Sequence, residues 1–306
     1  MTAIQLVARK IEKPWGRRDI PATFGPVAAD GHPVGEIWFE DPRGSRPELL
    51  IKFLFTSEPL SIQVHPDDAA AEALGLCSGK DEAWLILDAE PDASIRIGLR
   101  QELGVDALAR AAGDGTIEQL VDWHPVESGD SFYSPAGTVH SIGAGLSLIE
   151  VQQNVDVTFR LFDFGRQRQL QVEAALATAH PAPYRKPLQP YMLNAGREIL
   201  ANGPAFVMER WRGAGAGKLE VGPDKPLWLV GIGGGGSIDG KPIEAGSVWL
   251  VEGDVDLVTE TASDILVAYA GKEIQSFAAF GRHPTNLIEF RRRHFRDALK
   301  TLRKAG

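Results

Sequence analysis

The chain has 306 residues, of which 43% are hydrophobic, and a formal net charge of −9. That length suits one large domain or two smaller ones, and the charge argues against nucleic-acid binding. A single cysteine, Cys77, excludes a disulfide framework and cysteine-rich metal sites. Because no apolar run is long enough for a signal peptide or a membrane span, we expect a cytoplasmic protein that binds no membrane.

Short apolar runs separated by turn clusters predict an all-β fold for the first part of the chain. The predicted strands cover 49–55, 60–65, 83–87, 94–99, 131–134, 146–151 and 157–162. Helical patterns at 67–76, 105–121 and 170–179 interrupt them. The pattern indicates a sandwich or barrel with small helical insertions, extending over residues 1–180.

A proline-rich stretch, HPAPYRKPLQP, predicts a connector over residues 181–200. Beyond it the strand pattern resumes with PAFVMERW, KPLWLVGI, GGSIDGKPI, GSVWLV, VDLVT and DILVAYA, which indicates a second β unit over 201–272. Residues 181–282 contain no histidine. If the two units share a fold, only the first can hold a histidine-ligated metal.

The C-terminal stretch differs from the rest of the chain in its charge. Residues 281–306 carry eight Lys or Arg against two acids, with apolar residues at roughly helical spacing. We expect a basic helix over 273–306 that docks on the acidic body or on a second subunit. A homodimer could therefore form through the second β unit or through this helix.

The segment LSIQVHPDD, residues 60–68, raises the first functional question. Its period-two alternation places Ser61, Gln63 and His65 together on the face opposite its apolar residues. A single strand histidine is more often a hydrogen-bonded core group than a ligand. The grouping of a histidine and an amide on one face nevertheless calls for a partner.

Two later residues supply that partner. Glu82 begins a strand, GKDEAWLIL, that is otherwise apolar on both faces, and a buried carboxylate is costly unless it is paired or bound to metal. His140 follows a Pro-Ala-Gly turn in SPAGTVHSI. Imidazoles and a carboxylate suit Zn, Fe, Mn, Ni or Co, and a glutamine oxygen can complete such a set.

The segments LSIQVHPDD, GKDEAWLIL, GDSFYSPAGTVHSI and IEVQQNVDVTFRLFDFGR resemble the signature segments of type I mannose-6-phosphate isomerases, zinc enzymes of the cupin superfamily. The resemblance covers about residues 49–180 and continues more loosely over 200–272. It implies two tandem cupin (jelly-roll) β-barrels, the second without metal, and interconversion of mannose-6-phosphate and fructose-6-phosphate. It also implies one zinc ion in the first cupin, with Gln63, His65, Glu82 and His140 as ligands.

The same resemblance implies five further site residues. Lys52 and Ser61 match positions near the substrate phosphate, and Lys80, Glu150 and Arg160 match catalytic positions. Lys52 interrupts the apolar run LLIKFLF, where a buried ammonium requires an anionic partner. Arg160 lies on the polar side of VDVTFRL. Glu150 is the charged residue next to the end of the predicted strand LSLIEV. The pattern does not decide whether Glu150 or Lys80 transfers the proton.

Two other functions are compatible with the pattern. A non-catalytic cupin that binds a sugar phosphate would keep the pocket but would not need the proton-transferring residues. A different metal-dependent cupin enzyme, such as an oxygenase, favours histidine-rich iron ligation. A metal-dependence profile and an oxygen requirement would separate such an enzyme from an isomerase.

Overall fold

The structure is a computed structural model that describes residues 2–27, 31–185, 189–222 and 224–277. The described chain is mostly β-strand. Before the connector the strands are β1 (Ala3–Gln5), β2 (Val7–Arg17), β3 (Val34–Glu40), β4 (Leu49–Phe55), β5 (Ile62–Val64), β6 (Glu82–Ala89), β7 (Ser94–Leu99), β8 (Val121–Pro125), β9 (Ser131–Ser134), β10 (His140–Ile142), β11 (Leu146–Gln153) and β12 (Phe159–Phe162). After it they are β13 (Tyr191–Met192), β14 (Arg197–Asn202), β15 (Phe206–Arg212), β16 (Gly215–Leu219), β17 (Leu227–Gly233), β18 (Gly236–Ile238), β19 (Lys241–Pro242), β20 (Val248–Val251), β21 (Val255–Thr259) and β22 (Asp264–Ala270).

Short helices lie between the strands of the first part. They are α1 (Asp68–Ala73), α2 (Val105–Asp114), α3 (Ile117–Leu120) and α4 (Val172–Thr178), with a single 3₁₀ turn at Ala22–Phe24. The predicted helix over 105–121 is two helices. Gly115 ends the first one in the left-handed conformation, with φ of 83°, a common way for a helix to stop.

The strands form four sheets. The first part of the chain supplies a six-stranded sheet, in the order β2-β3-β4-β11-β6-β9, and a five-stranded sheet, in the order β12-β5-β10-β7-β8. The later strands form a seven-stranded sheet, β1-β20-β17-β22-β15-β14-β13, and a four-stranded sheet, β16-β21-β18-β19. Among the described strands no sheet closes on itself. Because β1 pairs with β20, the N-terminal strand belongs to the sheet built from the later strands.

The six-stranded sheet is buried on both faces. On one face Trp84 and Ile86 pack with Ile95 and Ile97 of the five-stranded sheet. On the other, side chains such as Leu85 join a large core shared with the seven-stranded sheet. Because side chains alternate between the two faces of β6, Trp84 and Leu85 lie in different cores. The face that carries Glu82 points into the space between the six- and five-stranded sheets.

The strand predicted over 60–65 is shorter, because β5 covers only Ile62–Val64. Ile62 and Val64 pack under the helices on the outer face of the five-stranded sheet. Leu60 lies before the strand begins and packs instead with the inner cluster. The predicted alternation holds for the strand itself, and the prediction that Leu60 shares the face of Ile62 and Val64 was wrong.

Two predictions concern regions outside the sheets. The prediction of a basic helix over 273–306 was wrong for residues 273–277, which are not helical, and residues 278–306 lie outside the described residues. Within the described ranges, no helix has the length and apolarity that a membrane crossing requires.

Candidate metal centre

Three buried side chains converge between the six- and five-stranded sheets. One potential ligand atom from each of His65, Glu82 and His140 lies within 4.8 Å of the others. The Nε2 atom of His65 is 3.2 Å from Oε1 of Glu82, and Nε2 of His140 is 3.5 Å from Oε2 of the same carboxylate. All three residues are at most 2% exposed.

The register of the sheet adds Gln63 to this group. In the five-stranded sheet β10 lies beside β5, and His140 is the direct partner of Gln63. Nε2 of Gln63 lies 3.4 Å from Nε2 of His140, while its Oε1 accepts a hydrogen bond of 2.9 Å from the Ser61 hydroxyl. Since amide O and N positions interchange by a simple flip, a turned amide would present its oxygen to the group.

Burial sets the protonation of these groups. Burial, followed by the nearby Lys80 ammonium, lowers the pKa of His65 to about 3, and burial also lowers the pKa of His140. Burial acts to raise the pKa of Glu82, but the charges of Lys80 and the two imidazoles outweigh it and hold that pKa well below its usual range. Neutral imidazoles beside an ionised carboxylate are the forms that bind a metal.

The residues present fit a zinc ion. Nδ1 of His65 is buried and makes no hydrogen bond to a described residue, while Nε2 faces only the Glu82 carboxylate at 3.2 Å. A buried nitrogen without a partner is costly. Nδ1 of His140 donates to the Thr138 carbonyl at 2.9 Å, which leaves Nε2 of that ring as a ligand atom. Two imidazoles, a carboxylate and an amide oxygen form a four-donor set suited to zinc.

A polar cavity opens next to this group. It contains about 520 Å³ of space, part of it open to solvent. Its walls include seven of the residues selected from the sequence, namely Lys52, Ser61, Gln63, Lys80, Glu82, Glu150 and Arg160. The two histidines lie behind this wall, in contact with Glu82. All nine selected residues therefore meet at one place in the fold.

Lys52 is paired with other side chains of the cavity wall. Its ammonium donates to Oε1 of Glu150 at 2.9 Å and to the side-chain oxygen of Gln152, and it lies 4.8 Å from the centre of the Trp38 ring. Burial acts to lower the pKa of Lys52, but Glu150 leads the carboxylates that raise it above its ordinary value. The predicted anionic partner of this lysine is thus a carboxylate of the protein itself.

Glu150 and Lys80 both line the cavity together with Glu82. Trp84 Nε1 donates to Oε2 of Glu150 at 3.0 Å. Burial, with the charge of Glu82 next in importance, raises the pKa of Glu150 above that of an ordinary carboxyl group. The ammonium of Lys80 lies 3.0 Å from Oε1 of Glu82, and Lys80 is 4% exposed.

Arg160 approaches the cavity from β12. Burial, followed by repulsion from Arg168, lowers the pKa of Arg160. Its Nε is buried and makes no hydrogen bond to any residue that the structure describes. The nearby carboxylate of Asp163 pairs with Arg166 and Arg168. A cation with an unsatisfied donor thus faces the cavity.

Comparison with known proteins identifies the family. A mannose-6-phosphate isomerase from Streptococcus mutans is 31% identical over 216 residues, which cover 66% of this chain and 67% of that relative. The chain belongs to the mannose-6-phosphate isomerase family. No protein-family profile matches it.

Solved structures of the family share the fold. The mannose 6-phosphate isomerase from Bacillus subtilis has a TM-score of 0.75 at 24% identity, covering 88% of this chain and 99% of the other. A mannose 6-phosphate isomerase solved with zinc bound has a TM-score of 0.67 at 14% identity, covering 89% of this chain and all of the other.

The structure adds cavity residues that the sequence did not single out. They are Lys13, Trp15, Glu36, Trp38, Leu54, Leu60, Asp156, Thr158 and Arg168. Trp38 donates to Glu36 at 2.5 Å, and Glu36 also pairs with Lys13 at 3.1 Å. Arg168 lies two residues after the end of the segment IEVQQNVDVTFRLFDFGR. Its closeness to that segment was the only sequence signal for it.

Proposed function

We propose that this protein is a zinc-dependent aldose–ketose isomerase that interconverts mannose-6-phosphate and fructose-6-phosphate. The observation that carries the proposal is the pairing of two neutral, buried histidines with an ionised carboxylate at the wall of a cation-lined cavity. Such a cavity provides metal ligands, proton-transfer groups and anion-binding groups side by side. The family membership supports the same reaction.

The reaction moves a proton between C2 and C1 of the open-chain sugar through an enediol, while negative charge develops on the oxygens of those carbons. A zinc ion held by Gln63, His65, Glu82 and His140 supplies Lewis-acid stabilisation of that charge. The protein must then hold the substrate in place, exchange the proton and fix the phosphate. Each task has a candidate residue in the cavity wall.

Proton transfer is assigned to the Glu150 and Lys80 side of the cavity. A buried carboxylate with a raised pKa takes up and returns a proton near neutral pH more readily than an exposed one. The contacts of Glu150 with Lys52 and Trp84 hold its two oxygens in a fixed orientation. Lys80 is the second candidate, as a proton donor whose ammonium lies 3.0 Å from the proposed zinc ligand Glu82.

Arg160 and its neighbours are assigned to orienting the substrate. Its unsatisfied Nε is available to a substrate oxygen. Ser61 and Lys52 are the proposed phosphate-binding residues, and Arg168 adds a further cation to the cavity wall. Fixing the phosphate would use its binding energy to position the reacting carbons.

The proposal also covers the domain organisation, the location and the oligomeric state of the protein. The two pairs of sheets support two cupin units in tandem, which we place near the predicted bounds of 1–180 and 201–272. The later unit also takes in β1 and, from the predicted connector 181–200, β13 and the start of β14. The single cysteine supports a cytoplasmic location. A homodimer through the second unit or the basic tail stays a prediction.

A coupled assay that detects fructose-6-phosphate formed from mannose-6-phosphate tests the function. We expect turnover that disappears on chelation, returns with zinc and does not depend on oxygen. Mannose without a phosphate serves as the matched control substrate and should turn over poorly. Binding of mannose-6-phosphate without turnover by the zinc-loaded protein would instead indicate a sensor, and a requirement for oxygen would indicate an oxygenase.

A further inference from the structure

A short turn before β10 contacts all three segments that carry the clustered metal-site residues. The turn spans residues 135–138, Pro-Ala-Gly-Thr. The Gly137 amide donates to the backbone carbonyl of His65 at 2.8 Å. The carbonyl of Thr138 accepts from the His140 ring at 2.9 Å. The third contact, to the segment of Glu82, runs through Asp81.

Asp81 precedes Glu82 directly, so its side chain points to the opposite face of the sheet and away from the cavity. Its Oδ1 accepts the amide of Ala136, in the turn, at 2.7 Å. Its Oδ2 accepts the hydroxyl of Tyr133. Its backbone N–H donates to the Gln153 side chain at 2.9 Å. This buried carboxylate is therefore occupied as a structural acceptor and offers nothing to a metal.

Tyr133 extends the connection into the later half of the chain. It lies on β9, is 3% exposed, and packs against Phe206 with ring centres 5.2 Å apart. A side chain at Gly203 would begin only 2.0 Å from its hydroxyl oxygen. The absence of a side chain at Gly203 thus gives the tyrosine the room it needs to reach Asp81.

We propose that Asp81 and Tyr133 are positioning residues, which fix the turn against the Glu82 segment and so set the relative placement of His65, Glu82 and His140. This inference deepens the proposed function and rests on it. Hydrogen bonds behind the ligands of a metal typically change metal affinity by about 10- to 100-fold when they are removed. The pair also makes the geometry of the centre depend on packing between the two halves.

Tyr133→Phe and Asp81→Asn test the proposal, because neither residue faces the cavity. Tyr269→Phe is the matched control, since Tyr269 is also buried and donates to a carboxylate, Glu209, at 2.5 Å, but lies in the later half. Zinc affinity is measured by competition with a chelator, and the geometry of the site by the visible absorption spectrum of the cobalt-substituted protein. Melting temperatures are recorded for all variants.

We expect both variants to bind zinc at least about ten-fold more weakly than wild type and to shift the cobalt spectrum. The control should lose thermal stability but keep wild-type affinity and spectrum. Unchanged affinity and spectrum in folded Tyr133→Phe and Asp81→Asn would overturn the inference. If the control shifts the metal readouts equally, the effect is general destabilisation and the inference also fails.

The proposed function can fail separately. Wild-type protein that binds zinc but does not isomerise mannose-6-phosphate would overturn the function, and the affinity comparison would still decide the positioning role. Wild-type protein that binds neither zinc nor cobalt would overturn both proposals together.

Discussion

Each half of the molecule buries a cluster of charged side chains between two sheets, and the two clusters are completed differently. In the later half, Arg197 donates to both oxygens of Glu209, at 2.8 and 2.7 Å. Trp211 and Tyr269 donate to the same carboxylate. Arg197 also donates to the backbone carbonyl of Gln275. Every oxygen of that carboxylate has protein donors.

The cluster of the first half is not completed in this way. Among the described residues, Nδ1 of His65 has no hydrogen-bond partner, and neither has Nε of Arg160. A buried polar group without a partner is costly, and such groups persist where a ligand supplies the partner. The two clusters therefore both bury charge, and they differ in how completely their polar groups are hydrogen-bonded by the protein.

His140→Ala should have the largest effect, because it removes a proposed metal ligand from the incomplete cluster. We expect zinc to be lost and isomerase activity to fall by more than about 100-fold, the upper end of the loss seen when only a partner of a ligand is removed. Zinc content by elemental analysis and the coupled assay are measured on the same sample. Full activity in a metal-free variant would contradict the zinc assignment.

Arg160→Ala should separate metal binding from turnover. The cavity would lose a cation that we propose contacts the substrate, so kcat should fall by about 100-fold while zinc content stays at the wild-type level. Arg17→Ala is the control, because Arg17 pairs with Asp19 and does not line the cavity. An unchanged rate in Arg160→Ala would remove this residue from the site.

Glu209→Gln should have the opposite pattern, since it breaks the completed cluster. Arg197 would remain buried without its counter-charge, which should lower the free energy of unfolding by about 3 kcal/mol. Zinc content should be unchanged in the folded protein. Urea denaturation measures the first effect, and a loss of zinc comparable to that in His140→Ala would show that the two clusters are not independent.

Glu40→Gln should have the smallest effect. Glu40 pairs with Arg9 at 2.6 Å, but about half of each side chain is exposed to solvent. Exposed pairs of this kind contribute less than about 1 kcal/mol. The same urea measurement should find little change, and a loss as large as that of Glu209→Gln would refute the distinction between buried and exposed pairs.

Much of the site was predictable from the sequence because its residues lie in strands with clear alternation. Glu82 begins a strand that is otherwise apolar, and Gln63 and His65 share a face. The local pattern alone therefore indicated where these three side chains point. The same two-residue alternation predicted that Trp84 and Leu85 lie on opposite faces of the sheet. The fold class was predictable from the density of short strands and turns.

Other features depend on contacts that a local pattern does not contain. β2 is exposed along most of its length at the edge of its sheet, so it lacks the apolar alternation that predicts a strand. The pairing of β1 with β20 joins residues more than 240 positions apart. Arg168 enters the cavity because of the loop that follows β12, and the role of Asp81 depends on a tyrosine on a neighbouring strand.

Titration of zinc into chelated protein, with isomerase activity followed in the same sample, tests most directly whether the incomplete cluster is the catalytic metal centre. Activity should rise in proportion to the zinc added and level off at one equivalent per chain. Activity that survives complete removal of metal, or that fails to return when one equivalent is bound, would contradict that assignment.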